Sequence, residues 1–160
     1  MKNEILKKEN FYFLMIVSLI FFLDRYSKIQ IINNLNEKNL YINDFVNFNL
    51  VWNTGIGFGF FSTSSNLIYN SITGIICIVV IFLIYLILKS KMTEKILFSM
   101  ILGGAIGNVY DRLTYFAVPD FIDIHYNNFH WFTFNIADIF ISLGIILIIF
   151  NDILFKKNEN

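Results

Sequence analysis

Four apolar segments, separated by polar stretches, divide the chain. A helix needs about 20 residues to cross the hydrocarbon core of a membrane. Each segment reaches that length, although the first and the third do so only when their charged outer ends are counted. The pattern therefore predicts an all-α membrane protein with four transmembrane helices in one integral membrane domain, residues 1–160. The predicted helices lie at about 11–32, 66–89, 95–113 and 134–155, and the longer connections are 33–65 and 114–133.

The composition supports a membrane protein. Hydrophobic residues make up 56% of the chain and charged residues 15%, with a mean hydropathy of +0.61. Soluble domains carry about 45–50% apolar and ~25% charged residues. The formal net charge is zero, so nothing indicates a nucleic-acid partner. The single cysteine, Cys77, excludes an intrachain disulfide and a cysteine-based metal cluster.

The first apolar segment resembles the core of a cleavable signal peptide in length, since its apolar run has thirteen residues. The residues directly after this run argue against cleavage. Asp24, Arg25 and Lys28 stand where a small-residue cleavage site would be needed. The segment is therefore predicted to be a retained helix.

Basic residues predict the orientation of the chain, because cytoplasmic loops are enriched in lysine and arginine. The connections 33–65 and 114–133 contain only one lysine, Lys38. Both termini are therefore predicted to face the cytoplasm, and these two connections to lie on the outer side. The lysines that predict this orientation lie in the two tails and around the connection between the second and third predicted helices. They are Lys2, Lys7, Lys8, Lys89, Lys91, Lys95, Lys156 and Lys157.

Ionisable side chains from three of the predicted helices then lie at one depth, near the outer leaflet. A charge at membrane depth costs about 2.5–3.5 kcal/mol on insertion scales, so several at one level indicate a functional site. Ion pairing is the structural alternative. Asp24 and Lys28 have the i, i+4 spacing that allows it, and Arg112 could pair with a carboxylate of another helix. The group comprises Asp24, Lys28, Asp111, Arg112 and Asp138, with Asp120 in the outer connection.

The outer connection 33–65 is too long for an idle connector. Its stretch VNFNLVWN alternates and is rich in β-forming residues, which predicts a short strand or hairpin. NTGIGFGF comes next, with three glycines in five residues. A glycine-rich sheet edge could hold an extended peptide by strand addition. A solvated loop with turn glycines explains the same residues equally well.

The third segment contains a pattern of small residues. Gly103 and Gly107 form a small-xxx-small face, which predicts close helix packing and no chemistry. Asn108 differs, because a side-chain amide inside a span usually makes a hydrogen bond across the bundle.

Two carboxyl groups held close together cannot both ionise easily, so they share a proton. One can then act as a base towards water and the other as an acid towards a scissile carbonyl. Asp120 and Asp138 are the best candidates, because they approach the outer interface from different elements. This aspartyl-protease chemistry needs no metal and no cofactor, and neither is predicted.

Other chemistries fit these residues less well. Asp123, His125 and His130 could bind a metal, but no HExxH motif surrounds them and interfacial histidines are the simpler interpretation. Ser27 and Lys28 are adjacent and point apart on a helix, so a Ser–Lys dyad is not favoured. No GxSxG motif is present, and Cys77 is interpreted as a packing residue.

Five polar motifs, in their order and spacing, resemble those of the lipoprotein signal peptidase family, also called signal peptidase II. They are DRYSK at 24–28, NTGIGFG at 53–59, GGAIGNVYDR at 103–112, VPDFID at 118–123 and FNIAD at 134–138. The resemblance covers nearly the whole chain. Two departures are small: Gly57 replaces a usual alanine, and Pro119 replaces a usual aliphatic residue and removes a backbone N–H.

The resemblance implies a bacterial inner-membrane aspartyl protease with a small extracytoplasmic β-cradle and its active site near the outer face. It implies that Asp120 and Asp138 are catalytic. Its substrates would be diacylglyceryl-modified prolipoproteins, which it would cut before the lipidated cysteine. Its other partner would be membrane lipid, and the protein is predicted to be a monomer. The family's supporting positions fall on Asp24, Lys28, Asn53, Gly55, Asn108, Asp111, Arg112 and Asn135.

Three other functions remain open from the residues alone. A presenilin-type protease would explain Tyr110–Asp111, but its GxGD partner motif is absent. A small proton-coupled carrier would use membrane aspartates as relays, yet the inner halves of the predicted helices are almost purely apolar. A non-catalytic lipoprotein-binding membrane protein differs from the protease only in lacking turnover.

Overall fold

The computed structural model describes residues 8–35, 39–55, 65–127 and 129–155. These residues form four helices and four strands. In chain order they are α1 Lys8–Leu35, β1 Leu40–Asn43, β2 Val46–Asn53, α2 Asn66–Lys89, α3 Met92–Tyr115, β3 Val118–Tyr126, β4 Phe129–Phe134 and α4 Ile136–Phe155. Outside the described residues lie Lys2, Lys7, Lys38, Lys156, Lys157 and the later part of the glycine-rich stretch, including Gly57.

Each predicted apolar segment forms a helix, within a few residues of the expected bounds. By length and composition, α2 and α4 could cross a membrane. The helices α1 and α3 are also long, at 28 and 24 residues, but they carry charged groups in the halves nearest the sheet. Residue Phe116 ends α3 in the left-handed conformation with φ 56°, and the chain then turns directly into β3.

The helix α3 is the central element, since it packs against α1, α2 and α4. The hydrophobic core joins α1, α2 and α3 through Phe13, Leu83, Ile87, Ile101, Leu102 and Ala105. A second cluster, built on Ile31, Leu35 and Phe121, fixes the sheet against the end of α1. Many large side chains on the outside of the bundle are exposed and apolar, which is typical of a surface that faces lipid.

The glycines of α3 allow the close packing that the sequence predicts. A Cβ atom on Gly103 would lie 2.9 Å from the Cβ of Ile20 in α1. A Cβ atom on Gly104 would lie 2.5 Å from the backbone oxygen of Ala137 in α4. Any side chain at Gly104 would therefore push the backbones of α3 and α4 apart.

The strands form one antiparallel sheet with the order β1-β2-β3-β4. The stretch VNFNLVWN forms β2, as predicted. The connection 114–133 contains β3 and all of β4 except its last residue, Phe134. The sequence pattern alone did not predict these two strands, so the sheet is larger than a hairpin. Pro119 pairs with Trp52 of β2, and the β4 register begins only at Ile122. The proline therefore lies where β3 has a neighbour on one side only, the position that tolerates it in a sheet.

We expect Gly104→Ala to destabilise the protein by about 1–3 kcal/mol, because the added methyl group meets backbone that cannot move aside easily. Gly74→Ala is the matched control, since a Cβ atom there meets nothing within 4 Å. It should leave stability unchanged or raise it by up to about 1 kcal/mol through helix propensity. Thermal unfolding in detergent measures both, and equal melting temperatures for the two variants would contradict the packing argument.

Candidate active site

Lys28 binds two carboxylates at the contact between α1 and α3. Its Nζ donates to Oδ2 of Asp24 at 2.7 Å, to Oδ2 of Asp111 at 2.7 Å and to Oδ1 of Asn108 at 2.9 Å. An ammonium group has three donors, so all are used. Lys28, Asp24 and Asp111 are fully buried. The ion pair that the spacing of Asp24 and Lys28 allowed is present.

Arg25 belongs to the same cluster, a role that the sequence pattern did not indicate. Its guanidinium pairs with Oδ1 of Asp111, donates to the hydroxyl of Tyr115 at 3.2 Å and lies 4.6 Å from the ring centroid of Tyr110. Two buried carboxylates beside Lys28 require a second cation. This charge balance is the signal that could have identified Arg25.

The carboxylate of Asp24 also stabilises the start of α4. Its Oδ1 accepts the backbone N–H of Ala137 at 2.9 Å. An anion is favourable there, because the first N–H groups of a helix lack partners and carry the positive end of its dipole. Gly107 makes room for this carboxylate, since a Cβ atom on it would lie 2.6 Å from Oδ2 of Asp24. The predicted packing face thus also shapes the site.

Asn135 and Asp138 form a reciprocal cap at the start of α4. Oδ1 of Asn135 accepts the backbone N–H of Asp138 at 3.0 Å, and Oδ2 of Asp138 accepts the backbone N–H of Asn135 at 3.3 Å. This is the geometry of a capping box, with Asn and Asp in place of the usual Ser and Glu. It explains locally why a carboxylate lies at the start of an otherwise apolar helix.

Asn135 also joins Asp138 to the carboxyl group of Asp120 on β3. Nδ2 of Asn135 donates to Oδ1 of Asp120 at 2.6 Å, and Nδ2 of Asn53 donates to Oδ2 at 2.9 Å. The register between β2 and β3 shifts by one residue between Phe48 and Val51, so Asp120 lies opposite Val51. This irregularity places Asn53 on the same face of the sheet as Asp120.

Asn108 connects the ion cluster to Asp138. Its Nδ2 donates to Oδ1 of Asp138 at 2.9 Å, while its Oδ1 accepts from Lys28. The prediction that this amide makes a hydrogen bond across the bundle is therefore confirmed. One continuous chain of hydrogen bonds now runs from Lys28 through Asn108, Asp138 and Asn135 to Asp120.

Arg112 differs from the prediction that it could pair with a carboxylate of another helix. Among the described residues it has no ion pair; it donates from Nη2 to the backbone oxygen of Gly55 and lies 5.5 Å from the ring centroid of Tyr69. The backbone N–H of Gly55 donates to Oδ1 of Asn53 at 2.8 Å. Nε and Nη1 of Arg112 are buried without a partner in the described part of the chain.

The structure therefore brings all of the predicted site residues into one hydrogen-bonded network. Asn53 and Gly55 link Arg112 to Asp120, and Asn135 links Asp120 to the helices. Within this network, seven ionisable side chains are buried. They are the carboxyls Asp24, Asp111, Asp120 and Asp138 and the cations Arg25, Lys28 and Arg112. Four carboxylates against three cations leave one negative charge, which a single shared proton neutralises.

Burial, and after it the nearby charge of Asp138, raises the pKa of Asp120 to about 7. The hydrogen bonds from Asn53 and Asn135 and the charge of Lys28 act on this pKa in the opposite direction. A carboxyl group that keeps its proton near neutral pH can act as a general acid. Asp120 can therefore hold the extra proton that neutralises the network.

A groove of about 310 Å³ begins at the network and continues between α2, α3 and α4. Asn108, Arg112 and Asp138 line its polar end. Its remaining lining is almost wholly apolar and includes Val79, Leu83, Ile101, Ala105, Ile141 and Ile145. This shape suits a ligand with a hydrocarbon part and one polar group at its end.

Two solved structures described as bacterial membrane enzymes have the same fold. One matches with a TM-score of 0.80 at 26% identity, covering 93% of this chain and 92% of its own. The other matches with a TM-score of 0.75 at 26% identity, covering 90% of this chain and 93% of its own. The helical bundle with its small sheet is thus the fold of a membrane enzyme.

Sequence relatives specify the class further. The family Signal peptidase (SPase) II matches residues 16–154. The lipoprotein signal peptidase of Pelagibacter ubique (strain HTCC1062) is 43% identical over 155 residues, which cover 94% of this chain and 93% of that protein. The lipoprotein signal peptidase of Alteromonas mediterranea is 37% identical over 151 residues, which cover 92% of this chain and 82% of that protein. The chain belongs to the signal peptidase II family, a family of peptidases, and the resemblance seen in the motifs is confirmed.

We expect Asp120→Asn to change how stability depends on pH. The folded protein keeps the Asp120 proton up to about pH 7, whereas the unfolded chain loses it near pH 4. The unfolded state therefore binds fewer protons in this range, so the free energy of unfolding falls as the pH rises through it and then levels off. The variant should lack this part of the decline, at most about 4 kcal/mol.

Thermal unfolding in detergent from about pH 4 to about pH 8 measures the difference. Asp44→Asn is the control, because Asp44 is an exposed carboxylate on the β1–β2 turn, bound to the hydroxyl of Tyr41 at 2.5 Å. The free energy of unfolding of this control should depend on pH as that of the unaltered protein does. The same decline in Asp120→Asn as in the unaltered protein would show that Asp120 is ionised throughout this range.

Proposed function

We propose that this protein is an aspartyl endopeptidase that removes the signal peptide from diacylglyceryl-modified prolipoproteins, cutting before the lipidated cysteine. The observation that carries the proposal is the bridge between two buried carboxyls: Asn135 donates from Nδ2 to Asp120 and from its backbone N–H to Asp138. Membership of the signal peptidase II family supports the reaction class. Relatives named lipoprotein signal peptidase support the substrate class.

In the proposed mechanism, Asp138 is the carboxylate and Asp120 carries the proton. Asp138 takes a proton from water, whose oxygen attacks the carbonyl carbon before the cysteine, while Asp120 gives its proton to the carbonyl oxygen. The resulting gem-diol collapses when Asp120 takes back a hydroxyl proton and Asp138 protonates the leaving amine. Both carboxyls return to their starting states, and no metal or cofactor takes part.

The rest of the network has a positioning role in this proposal. Asn108 and Asn135 hold Asp138, while Asn53 and Asn135 hold Asp120. Lys28 fixes the amide of Asn108. Nε and Nη1 of Arg112 have no partner among the described residues, so they are proposed as donors to a substrate carbonyl next to the dyad. The proposed supporting residues are Asp24, Lys28, Asn53, Gly55, Asn108, Asp111, Arg112 and Asn135.

The groove between α2, α3 and α4 is proposed to hold the hydrocarbon part of the substrate. Asp138 lies at its polar end, and Ile141 and Ile145 continue along the same face of α4 into the membrane. A scissile bond next to a lipidated residue would then meet the dyad at the depth where the lipid is anchored. Every group of the network comes from a single chain, so a monomer suffices.

All four helices are proposed to span a bacterial inner membrane, with both termini in the cytoplasm and the sheet outside. The charges of α1 and α3 support spanning, since Asp24, Lys28 and Asp111 are buried inside the bundle and do not face lipid. At 1.5 Å per residue, α1 and α3 are about 42 Å and 36 Å long, enough to cross the hydrocarbon core.

The topology is tested with alkaline phosphatase, which is active only outside the cytoplasm. Fusion after residue 160 should give an inactive reporter, and insertion at Asp44 in the β1–β2 turn an active one. The reverse pattern would overturn the proposed orientation.

Asp120→Asn and Asp138→Asn are each expected to lower the rate of cleavage by about 10²–10⁴-fold, because each removes an acid–base group. Purified protein in detergent is given a diacylglyceryl-modified prolipoprotein and, separately, its unlipidated precursor, and the mass shift is followed on a gel. Asp44→Asn serves as the control and should cut normally. Cleavage that survives either dyad substitution would overturn the dyad, and no cleavage by folded, unaltered protein would overturn the peptidase proposal.

Val79→Trp should raise KM for the lipidated substrate on the order of tenfold, because the larger side chain fills part of the groove. Ile78→Trp is a matched control on the adjacent residue of α2, since Ile78 is 67% exposed and does not line the groove. It should leave KM unchanged. Equal KM values for the two variants would place the hydrocarbon part of the substrate elsewhere.

A further inference from the structure

Three side chains with metal-binding atoms meet at the far end of the β3–β4 hairpin. Asp123 and His125 lie on β3 with the i, i+2 spacing that puts them on one face of the strand. His130 lies on β4, and its Nδ1 is 2.7 Å from Oδ2 of Asp123. One ligand atom from each of the three residues lies within 4.8 Å of the others.

A shift in the register between β3 and β4 creates this arrangement. Ile124 pairs with Phe132, whereas His125 pairs with His130, so the register moves by one residue between them. Without the shift, His125 would lie opposite Trp131 and His130 would point to the other face of the sheet. With it, the two imidazole rings stack, with centroids 5.3 Å apart and an interplanar angle of 21°. β-Bulges commonly redirect side chains at functional sites in this way.

His125 provides the second, independent observation. It is only 7% exposed, and its Nδ1 is buried with no hydrogen-bond partner among the described residues. Leaving a buried polar atom unpaired costs about 1–3 kcal/mol. A neutral imidazole nitrogen with a free lone pair is the commonest protein ligand for transition metals. A cation bound at Nδ1 would remove this cost.

The neighbouring Asn47 supports the same conclusion. Its Nδ2 lies 3.4 Å from Nε2 of His125, and its Oδ1 is also buried without a partner in the part of the chain described. A half-turn of the Asn47 amide would let Oδ1 accept the N–H of Nε2. That hydrogen bond fixes the tautomer in which the lone pair is on Nδ1, which is how outer partners orient metal-binding histidines.

We propose that Asp123, His125 and His130 bind one divalent transition-metal ion, with Zn²⁺ as the matching ion. Two imidazoles and one carboxylate are the ligand types that Zn²⁺ takes in sites with three protein ligands and one open position. In a tetrahedral site the ligand atoms stand about 3.3 Å apart, so the three groups must close slightly from their present spacing. The side chain of His130 is 56% exposed, so it can move and leave the fourth position to water.

The site is separate from the catalytic network. Asp123 lies three residues beyond Asp120 along β3, a spacing that puts the two side chains on opposite faces of the strand, and its carboxylate contacts His130. A bound ion would clamp β4 to β3 at the end of the sheet away from α3 and α4. We therefore expect it to affect the stability of the sheet and not the proton transfer steps.

The chain has only two histidines, and both are in this site. Binding of Zn²⁺ by histidine can therefore be tested without interference from other histidines. Untagged full-length protein in detergent is stripped with chelator and titrated with Zn²⁺ by calorimetry. One ion per chain is expected to bind, and Co²⁺ in its place should give the absorption bands of a tetrahedral complex. Saturating Zn²⁺ should also raise the melting temperature, as any ligand of the folded state does.

His130→Gln is the primary variant, since His130 is exposed and its loss leaves the core intact. It should weaken Zn²⁺ binding by at least about 100-fold, because loss of a ligand costs more than the roughly 10–100-fold that follows loss of a residue orienting a ligand, and His125→Gln should do the same. Cys77→Ser and Asp44→Asn are controls for binding by the thiol and by a surface carboxylate, and both should bind as the unaltered protein does. No binding by the unaltered protein, or equal binding by a folded His130→Gln variant, would overturn the proposal.

Discussion

The ammonium group of Lys28 is the interaction on which the rest of the site depends. It lies fully buried between α1 and α3 and uses all three N–H donors, two on carboxylates and one on Asn108. A buried charge is tolerated only when it is paired and hydrogen-bonded. The same contacts that make Lys28 tolerable also orient Asp24 towards the start of α4 and Asn108 towards Asp138. Ion pairing and a functional role, which the sequence presented as alternatives, are therefore compatible in one arrangement.

Asn135 has a comparable double role at the junction of sheet and bundle. Its side-chain oxygen caps α4, and its side-chain nitrogen holds Asp120 on β3. Because one residue makes both contacts, the position of α4 and the distance between the two aspartates cannot vary independently. The contacts that hold the start of α4 therefore also set where Asp138 lies relative to Asp120.

Much of this architecture could be predicted from the sequence, and the rest depends on contacts between distant segments. The lengths of the apolar segments predicted the helices, and the alternation of apolar and polar residues predicted β2, because both patterns are local. The motifs indicated Asp120 and Asp138 as a pair. In β3 and β4, proline and polar residues obscure alternation. Arg25 was missed because its partner, Asp111, lies 86 residues away. Two further features depend on backbone geometry, which no residue pattern records. One is the hydrogen bond from Arg112 to the backbone oxygen of Gly55. The other is the register shift that pairs His125 with His130.

The odd charge count of the network has a consequence for how this protein can evolve. Three cations and four carboxyls share one enclosed space, so loss of any one cation leaves an uncompensated carboxylate there, at a cost of several kcal/mol. Replacement of one carboxyl by a neutral amide is different, because it removes the extra proton and leaves three carboxylates against three cations. Loss of a cation during evolution should therefore be accompanied by loss of a carboxylate, whereas a single carboxyl can be replaced without a second change of charge.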